Sequence, residues 1–180
     1  QASFSFPNKY KAVFYNPVIM IIASNIEKSF GPQVLFDGVS FLINPGERIG
    51  LVGKNGTGKS TLFRMILGDE RLDSGTLSTP KNYRIGALEQ HIHFTYPTVL
   101  AECIQALPAE KQWDHYKAEI ILSGLGFSEQ DFQKDPSTFS GGFQVRINLC
   151  KALLADPNML LLDEPTNYLD ILSLRWLKDY

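Results

Sequence analysis

The chain has 180 residues, of which 44% are hydrophobic and 20% are charged, a composition typical of one globular domain with a real core. The formal net charge of −2 argues against a generally basic nucleic-acid-binding surface, although a local basic patch remains possible. No apolar run approaches the roughly 18 residues of a membrane span. Cys103 and Cys150 lack a paired spacing, which indicates reduced thiols of a cytoplasmic protein.

The first 17 residues differ from the rest of the chain. They hold five aromatic residues and two prolines, and they lack the basic start and long apolar centre of a signal peptide. We therefore expect residues 1–17 to be an extension, either disordered or added to the natural sequence. A single domain is predicted over residues 18–180.

The first half of this domain is predicted to be mostly strand. β-Branched residues indicate strands over 18–30, 34–36 and 39–43, and the turn at 44–46 closes them. The apolar run Arg48–Val52 stops at Gly53 and is typical of a buried parallel strand. A helix is predicted over Lys59–Leu67, ending at Gly68, followed by short strands within 76–90.

The second half is predicted to be mostly helical. From Thr98 to about Phe132 the apolar periodicity is that of helices, with one face carrying Tyr116, Ile120 and Leu122. Another helix is lined by Val145, Leu149, Ala152 and Leu153. A buried strand is predicted over Met159–Leu162, and a last helix over Ile171–Tyr180.

A glycine-rich loop at 53–60 reads Gly-Lys-Asn-Gly-Thr-Gly-Lys-Ser and fits the phosphate-loop pattern at every fixed position. Glycines let the backbone turn so that successive N–H groups face phosphate oxygens, and the following helix adds its positive dipole end. The pattern predicts that Lys59 binds the β- and γ-phosphates and that Ser60 binds Mg²⁺. By itself this loop indicates only a nucleoside triphosphate.

Two adjacent carboxylates, Asp163 and Glu164, follow three leucines. An apolar strand that ends in acids at a sheet's carboxyl edge is a common place for ligand chemistry in α/β proteins. Because neighbouring strand residues point to opposite sides, we predict that Asp163 binds magnesium and that Glu164 orients or deprotonates water. The alternative is an acidic strand end that caps the next turn.

Ser140, Gly141 and Gly142 precede a helical pattern. Serine is a good N-cap, and the glycines leave backbone donors uncovered for an anion. Taken alone, the tripeptide is better explained as an ordinary capped helix start.

The three motifs in this order resemble the ATP-binding cassette (ABC) superfamily over about residues 20–180. The resemblance implies an α/β P-loop NTPase cassette with a parallel core sheet, an antiparallel β subdomain and an α-helical subdomain at about 98–139. The loop at 53–60 then corresponds to Walker A, 159–164 to Walker B, 140–144 to the signature motif, and Leu169-Asp170 to the D-loop.

The resemblance also implies the cofactors, ATP and Mg²⁺, and the residues that hold them. Gln90 resembles the glutamine that contacts Mg²⁺ and the attacking water, and Phe30 the aromatic that stacks on adenine. The implied catalytic residues are Glu164, Gln90 and Lys59, and the implied metal-binding residues are Ser60, Gln90 and Asp163. The implied nucleotide-binding residues are Phe30, Gly53, Lys54, Asn55, Gly56, Thr57, Gly58, Lys59, Ser60, Thr61, Gln90, Ser140, Gly141 and Gly142. Phe30 could instead be a core or surface aromatic, and Gln90 a solvated loop residue.

The run Asp-Glu-Pro-Thr-Asn-Tyr-Leu-Asp at 163–170 is similar to that of the ABC-F subfamily, as is the pair Phe143 and Arg146 after the glycines. ABC-F proteins are soluble tandem ATPases, and many act on the ribosome. The resemblance therefore implies a cytoplasmic ATPase that works with a second cassette, either a tandem half or a second copy, with the ribosome as a candidate partner. The alternatives are the nucleotide-binding subunit of a membrane transporter and a non-catalytic nucleotide-binding module.

The histidines of this sequence do not include the one expected in a complete cassette. The family's switch histidine would follow the next strand, beyond residue 180, so we expect a cassette that is incomplete at its C-terminus and weakly active alone. His91 and His93 alternate along an extended stretch, which could indicate a metal pair. No further ligands accompany them in the sequence, so solvated loop histidines are the simpler interpretation.

Overall fold

The computed structural model describes residues 21–88 and 92–180. The predicted extension at 1–17 and the predicted site residue Gln90 lie outside these ranges. Within them, strands dominate the first third of the chain and helices the rest, which confirms the predicted α/β class. None of the helices in these ranges has the length and apolar character needed to cross a bilayer.

Three strands form an antiparallel sheet in the order β2-β1-β3. They are β1 (Ile21–Phe30), β2 (Gln33–Ile43) and β3 (Ser74–Ser78). A tight turn joins β1 to β2, so Phe30 pairs with Gln33 at the hairpin end. Ala23 and Ile26 are buried and pack with Met65 of the first helix, α1 (Lys59–Leu67). This helix begins and ends where the sequence predicts.

Two further strands, β4 (Ile85–Ala87) and β5 (Met159–Leu161), pair in parallel, with Ile85 opposite Met159. The prediction of a third buried parallel strand at 48–52 is wrong. This segment forms no strand, and the side chain of Val52 is 94% exposed. A strand is stabilised by a hydrogen-bonded neighbour, and the structure pairs no described strand with residues 48–52.

The helical half contains α2 (Val99–Ile104), α3 (His115–Gly124), α4 (Gly141–Leu154) and α5 (Ile171–Asp179). Short 3-10 helices lie at 109–111, 129–133, 136–138 and 165–167. The core between α2, α3 and α4 contains Val99, Leu122, Ile147 and Leu149, among others. Cys103 and Cys150 are free thiols in this core, and burial raises the pKa of Cys150.

The predicted apolar face of α3 is partly wrong. Leu122 is buried, but the side chains of Tyr116 and Ile120 are 54% and 52% exposed. The buried face carries Ala118 and Ile121 instead. These residues and Leu122 share the i, i+3, i+4 spacing of one helix face, and the small Ala118 suits the side that meets α4, since its carbonyl contacts the Cys150 thiol.

Candidate functional site

The loop at 53–58 leads directly into α1, and two of its glycines determine its shape. Gly56 and Gly58 have φ angles of 80° and 98°, a region that favours glycine. A Cβ atom on Gly58 would lie 3.1 Å from Cζ of Phe36, so the loop packs closely on β2. The Leu62 N–H donates to the Gly58 carbonyl at 2.8 Å and begins the helix. The free amides of the helix N-terminus are therefore presented at the loop, as an anion site requires.

The Lys59 ammonium is held against this loop. Its Nζ donates to the Gly53 carbonyl at 2.8 Å and to the Lys54 carbonyl at 3.0 Å. The Thr57 hydroxyl donates to the same Lys54 carbonyl at 2.9 Å. Phosphate oxygens are stronger acceptors for an ammonium and could replace these carbonyls. The positive charge is thus concentrated where the sequence predicts phosphate.

Ser60 and Asp163 are 103 residues apart in sequence, and the Ser60 hydroxyl donates to Asp163 Oδ2 at 2.6 Å. A hydroxyl and a carboxylate are oxygen donors of the kind that Mg²⁺ takes, usually with phosphate oxygens and water. Over the described ranges, no three His, Cys, Asp or Glu side chains gather into a metal site. The pair therefore fits a magnesium ion that is completed by phosphate and water, rather than a metal cage built from protein alone.

Glu164 adopts a left-handed backbone conformation, with φ 47° and ψ 52°. This conformation costs a non-glycine residue about 1–3 kcal/mol and is concentrated at functional sites. The turn that follows, Pro165–Asn167, brings the Asn167 amide back to donate to Glu164 Oε2 at 2.8 Å. The turn thus orients the carboxylate of Glu164.

These elements enclose a cavity of about 360 Å³, lined by Phe30, Gln33, Leu35, Asn55, Gly56, Gly58, Lys59, Ser60, Thr61 and Glu164. Eight of these ten are predicted site residues. Gln33 and Leu35 are not, and the hairpin pairing of Phe30 with Gln33 is the signal that could have found them. Gly53, Lys54 and Thr57 belong to the loop but do not line the cavity.

The Ser-Gly-Gly turn lies apart from this cavity. Ser140 is the extended residue before α4, with φ −61° and ψ 155°, and its hydroxyl makes no capping hydrogen bond to the helix. The Gln144 N–H donates to the Ser140 carbonyl at 3.0 Å. Ser140, Gly141 and Gly142 are absent from the cavity lining. The turn is therefore a helix N-terminus that does not contribute to the cavity at the chain's own phosphate loop.

Arg146 connects this helix to the segment that follows the carboxylate pair. Its side chain is buried and lies over the Phe143 ring, with Cζ 4.6 Å from the ring centroid. Its guanidinium donates to the Tyr168 and Leu125 carbonyls at 3.0 Å and pairs with Asp170 at 2.9 Å. The sequence suggested Arg146 only as a subfamily signal. The structure shows that it joins α4 to residues 168–170.

Gln90 and His91 lie outside the described residues, so the proposed roles of Gln90 remain predictions. His93 is described, and it belongs to no metal-binding group in the described part of the chain.

Comparisons with known proteins agree with this geometry. The family described as "ABC transporter" matches residues 36–167. The chain is 32% identical to the probable ATP-binding protein YheS of Escherichia coli K12, with 89% of the chain and 30% of that protein covered. It is 39% identical to the energy-dependent translational throttle protein EttA of the same strain, with 87% and 29% covered.

A third relative, the uncharacterized ABC transporter ATP-binding protein YfmM of Bacillus subtilis, is 32% identical, with 89% of this chain and 39% of that protein covered. The chain thus spans between a quarter and two fifths of the length of these relatives.

The structure of an ATP-binding subunit of an ABC transporter aligns with a TM-score of 0.74 at 21% identity, covering 89% of this chain and 72% of that one. The dimeric structure of a bacterial ABC transporter cassette aligns with a TM-score of 0.69 at 22% identity, covering 88% and 80%. The chain belongs to the ABC transporter family as an ATP-binding cassette, and its relatives make it ABC-F-like.

Proposed function

We propose that this cassette binds Mg-ATP in the cavity at Gly53–Ser60 and, together with a second cassette, hydrolyses it to drive a conformational change. The observation that carries the proposal is the 2.6 Å hydrogen bond between Ser60 and Asp163. It brings the phosphate loop and the acidic end of β5 to one point beside the cavity. A glycine-rich turn and an acidic strand end with unrelated roles would have no reason to meet there.

Each residue of the site has a distinct task in this proposal. Lys59 exchanges its two loop carbonyls for phosphate oxygens and neutralises their charge. Ser60 and Asp163 would hold the magnesium ion, with Gln90 as a third ligand, and when bound the ion would supply positive charge next to the transferring phosphoryl group. Glu164, held by Asn167, orients or deprotonates the attacking water.

The adenine contact and the signature turn complete the assignment. The Phe30 ring, 47% exposed and part of the cavity wall, stacks on adenine. Ser140, Gly141 and Gly142 lie outside the cavity. From the resemblance of this turn to the signature motif, we assign it to the γ-phosphate of a second cassette, whose own turn would serve this one. On this assignment an isolated chain lacks the donors of the partner's signature turn, which is the reason to expect weak hydrolysis by the isolated chain.

We place the protein in the cytoplasm, as an ABC-F-type ATPase that acts on the ribosome. The support is the 39% identity to a relative whose name describes a translational throttle and the Asp-Glu-Pro-Thr-Asn-Tyr-Leu-Asp run at 163–170. The alternative of a transporter subunit draws on the similarity to solved transporter cassettes, but below 25% identity that similarity shows the fold alone.

Two experiments test the proposal. Isothermal titration of the purified protein should show Mg-ATP binding, and removal of Mg²⁺ with EDTA should weaken it; no binding by the wild type would overturn the nucleotide assignment. Sedimentation of the full-length protein with ribosomes should then depend on ATP and increase with Glu164→Gln, which traps the bound state. Co-purification with a membrane protein and no ribosome binding would favour the transporter alternative instead.

A further inference from the structure

Lys28 is a buried lysine at the edge of the cavity that the assigned site does not use. Lys28 is 6% exposed, and its Nζ lies 4.9 Å from the centroid of the Phe30 ring. Phe30 lines the cavity, whereas the described lining residues do not include Lys28. The ammonium therefore contacts the ring of a cavity residue without itself lining the cavity.

Three acceptors hold the ammonium in this place. Nζ donates to the Arg71 carbonyl at 2.8 Å and pairs with Glu70 at 2.7 Å and with Asp73 at 3.3 Å. Lysine ammonium groups have three donors, and here three acceptors are present. The hydrogen bond from Lys28 to Glu70 raises the pKa of the lysine, so its charge is retained at neutral pH.

The same acidic residues also fix the backbone next to the ring. Asp73 Oδ2 accepts from the Ser29 N–H at 2.7 Å, and the Asp73 N–H donates to the Glu27 carbonyl at 3.0 Å. Glu70 follows α1, and its N–H donates to the Arg64 carbonyl at 3.2 Å. The cluster thus ties the end of β1, where Phe30 lies, to the segment after the helix that starts at Lys59.

We propose that Lys28 is a positioning residue for the nucleotide base: it holds the Phe30 ring from outside the cavity and polarises it for stacking on the purine. An ammonium over an aromatic face is attracted by the ring's negative quadrupole, and the attraction grows when the cation is desolvated. The cation orients the ring and draws its electron density away from the cavity. The ring then stacks more favourably on an electron-rich base. This inference rests on the proposed function of the cavity.

Titration with two ligands separates this role from a structural one. Mg-ATP contacts both the base site and the phosphate loop, whereas magnesium tripolyphosphate contacts only the loop. Lys28→Met should weaken Mg-ATP binding about twofold to tenfold, the range expected for a cation–π contact, and leave tripolyphosphate binding unchanged. Lys28→Arg should restore most of the affinity, because guanidinium also stacks on aromatic faces.

A double-mutant cycle and two further variants complete the test. In a Phe30→Ala background, Lys28→Met should have no further effect on Mg-ATP binding. Glu70→Gln removes the shortest ion-pair partner of Lys28 and should lower Mg-ATP affinity selectively, which provides a test even if Lys28→Met does not fold. Lys151→Met disrupts a comparable ion pair, to Glu102 in the helical half, and should show no selective loss for Mg-ATP.

The outcomes distinguish a failure of the inference about Lys28 from a failure of the proposed function. Equal weakening of Mg-ATP and tripolyphosphate, or a full Lys28→Met effect without Phe30, would show that Lys28 only joins β1 to residues 70–73 and would overturn the inference. A wild-type protein that binds neither ligand would overturn the proposed function as well. A wild type that binds both ligands, with selective loss in Lys28→Met and Glu70→Gln, supports both.

Discussion

The chain contains two glycine-bearing turns that open helices, and they differ in what surrounds them. The turn at 53–58 opens α1 and has a lysine, a hydroxyl–carboxylate pair and a cavity beside it. The turn at 140–142 opens α4, and no residue of it lines that cavity. The same local solution for exposing helix amides thus lies beside a lysine, a carboxylate and a cavity in one place, and outside that cavity in the other. A helix N-terminus indicates an anion-binding site. The residues around it decide whether that anion is bound in this chain's own cavity or elsewhere.

The largest effect expected from this contrast is on hydrolysis at the first turn. Glu164→Gln should reduce turnover in the assembled two-cassette protein about 10²- to 10⁴-fold, because it removes a general base, while Mg-ATP affinity changes less than twofold. Steady-state phosphate release and titration calorimetry measure the two quantities. Glu119→Gln, an exposed change on α3, should alter neither. Loss of binding in Glu164→Gln would contradict the assigned role.

Ser140→Ala tests the second turn in the same assembly. We expect turnover to fall about 10²-fold, as for the loss of one preorganised donor to a transition state, with the Mg-ATP affinity of the single cassette unchanged. Ser137→Ala, three residues earlier, is the matched control and should leave turnover near that of the wild type. A parallel loss of affinity in the isolated Ser140→Ala cassette would mean that both turns act on one nucleotide, and the contrast would fail.

Lys59→Ala should affect binding rather than chemistry alone. Loss of a charge-assisted contact of about 1.5–3 kcal/mol predicts roughly 10- to 100-fold weaker Mg-ATP binding, measured by calorimetry or by competition with a fluorescent nucleotide. Lys81→Ala removes an exposed lysine elsewhere and serves as the control. Similar losses in both variants would show that general charge, and not the loop, attracts the nucleotide.

The smallest expected effect concerns the helical half that carries the second turn. Glu102 on α2 is buried and accepts from Lys151 on α4 at 2.6 Å and from the Thr95 and Tyr96 amides at 2.9 Å. Burial by itself raises the pKa of Glu102, but these hydrogen bonds outweigh it and the pKa is lowered. A lowered folded-state pKa stabilises the fold at pH values above the ordinary pKa of the carboxyl. This contribution is lost as the pH falls below that ordinary pKa and through the lowered pKa of the folded state.

Glu102→Gln should therefore lower the free energy of unfolding by about 1–3 kcal/mol at pH 7, the cost of leaving buried partners unsatisfied, and by less once the pH falls below the ordinary pKa of the carboxyl. Denaturant titrations at several pH values measure this difference. Mg-ATP affinity should stay unchanged, since Glu102 does not line the cavity. An equal loss at every pH would show that the effect comes from packing and not from ionisation.

Motif spacing predicted most of the residues that line the cavity, because the geometry of a phosphate loop is local. Eight consecutive residues determine the turns of the loop, the direction of its backbone N–H groups and the start of α1 at Lys59. The carboxylate pair after β5 was predictable for the same reason. Sequence reasoning failed where partners are distant: Arg48–Val52 has the composition of a buried strand, yet it is exposed without a neighbouring strand. On α3, periodicity alone did not show that Ala118 and Ile121, rather than Tyr116 and Ile120, face the core.

By itself the sequence determined the chemistry that this chain can offer: glycines that bend, a lysine for phosphate, and acids at the end of a strand. Only the tertiary structure brought Ser60 to Asp163, Asn167 to Glu164, and Lys28 to the Phe30 ring. It also separated Ser140 from the cavity and joined Arg146 to Asp170. The reason is that backbone geometry acts over a few neighbouring residues, whereas a site made of oxygens, charges and a ring depends on contacts between segments that only folding brings together.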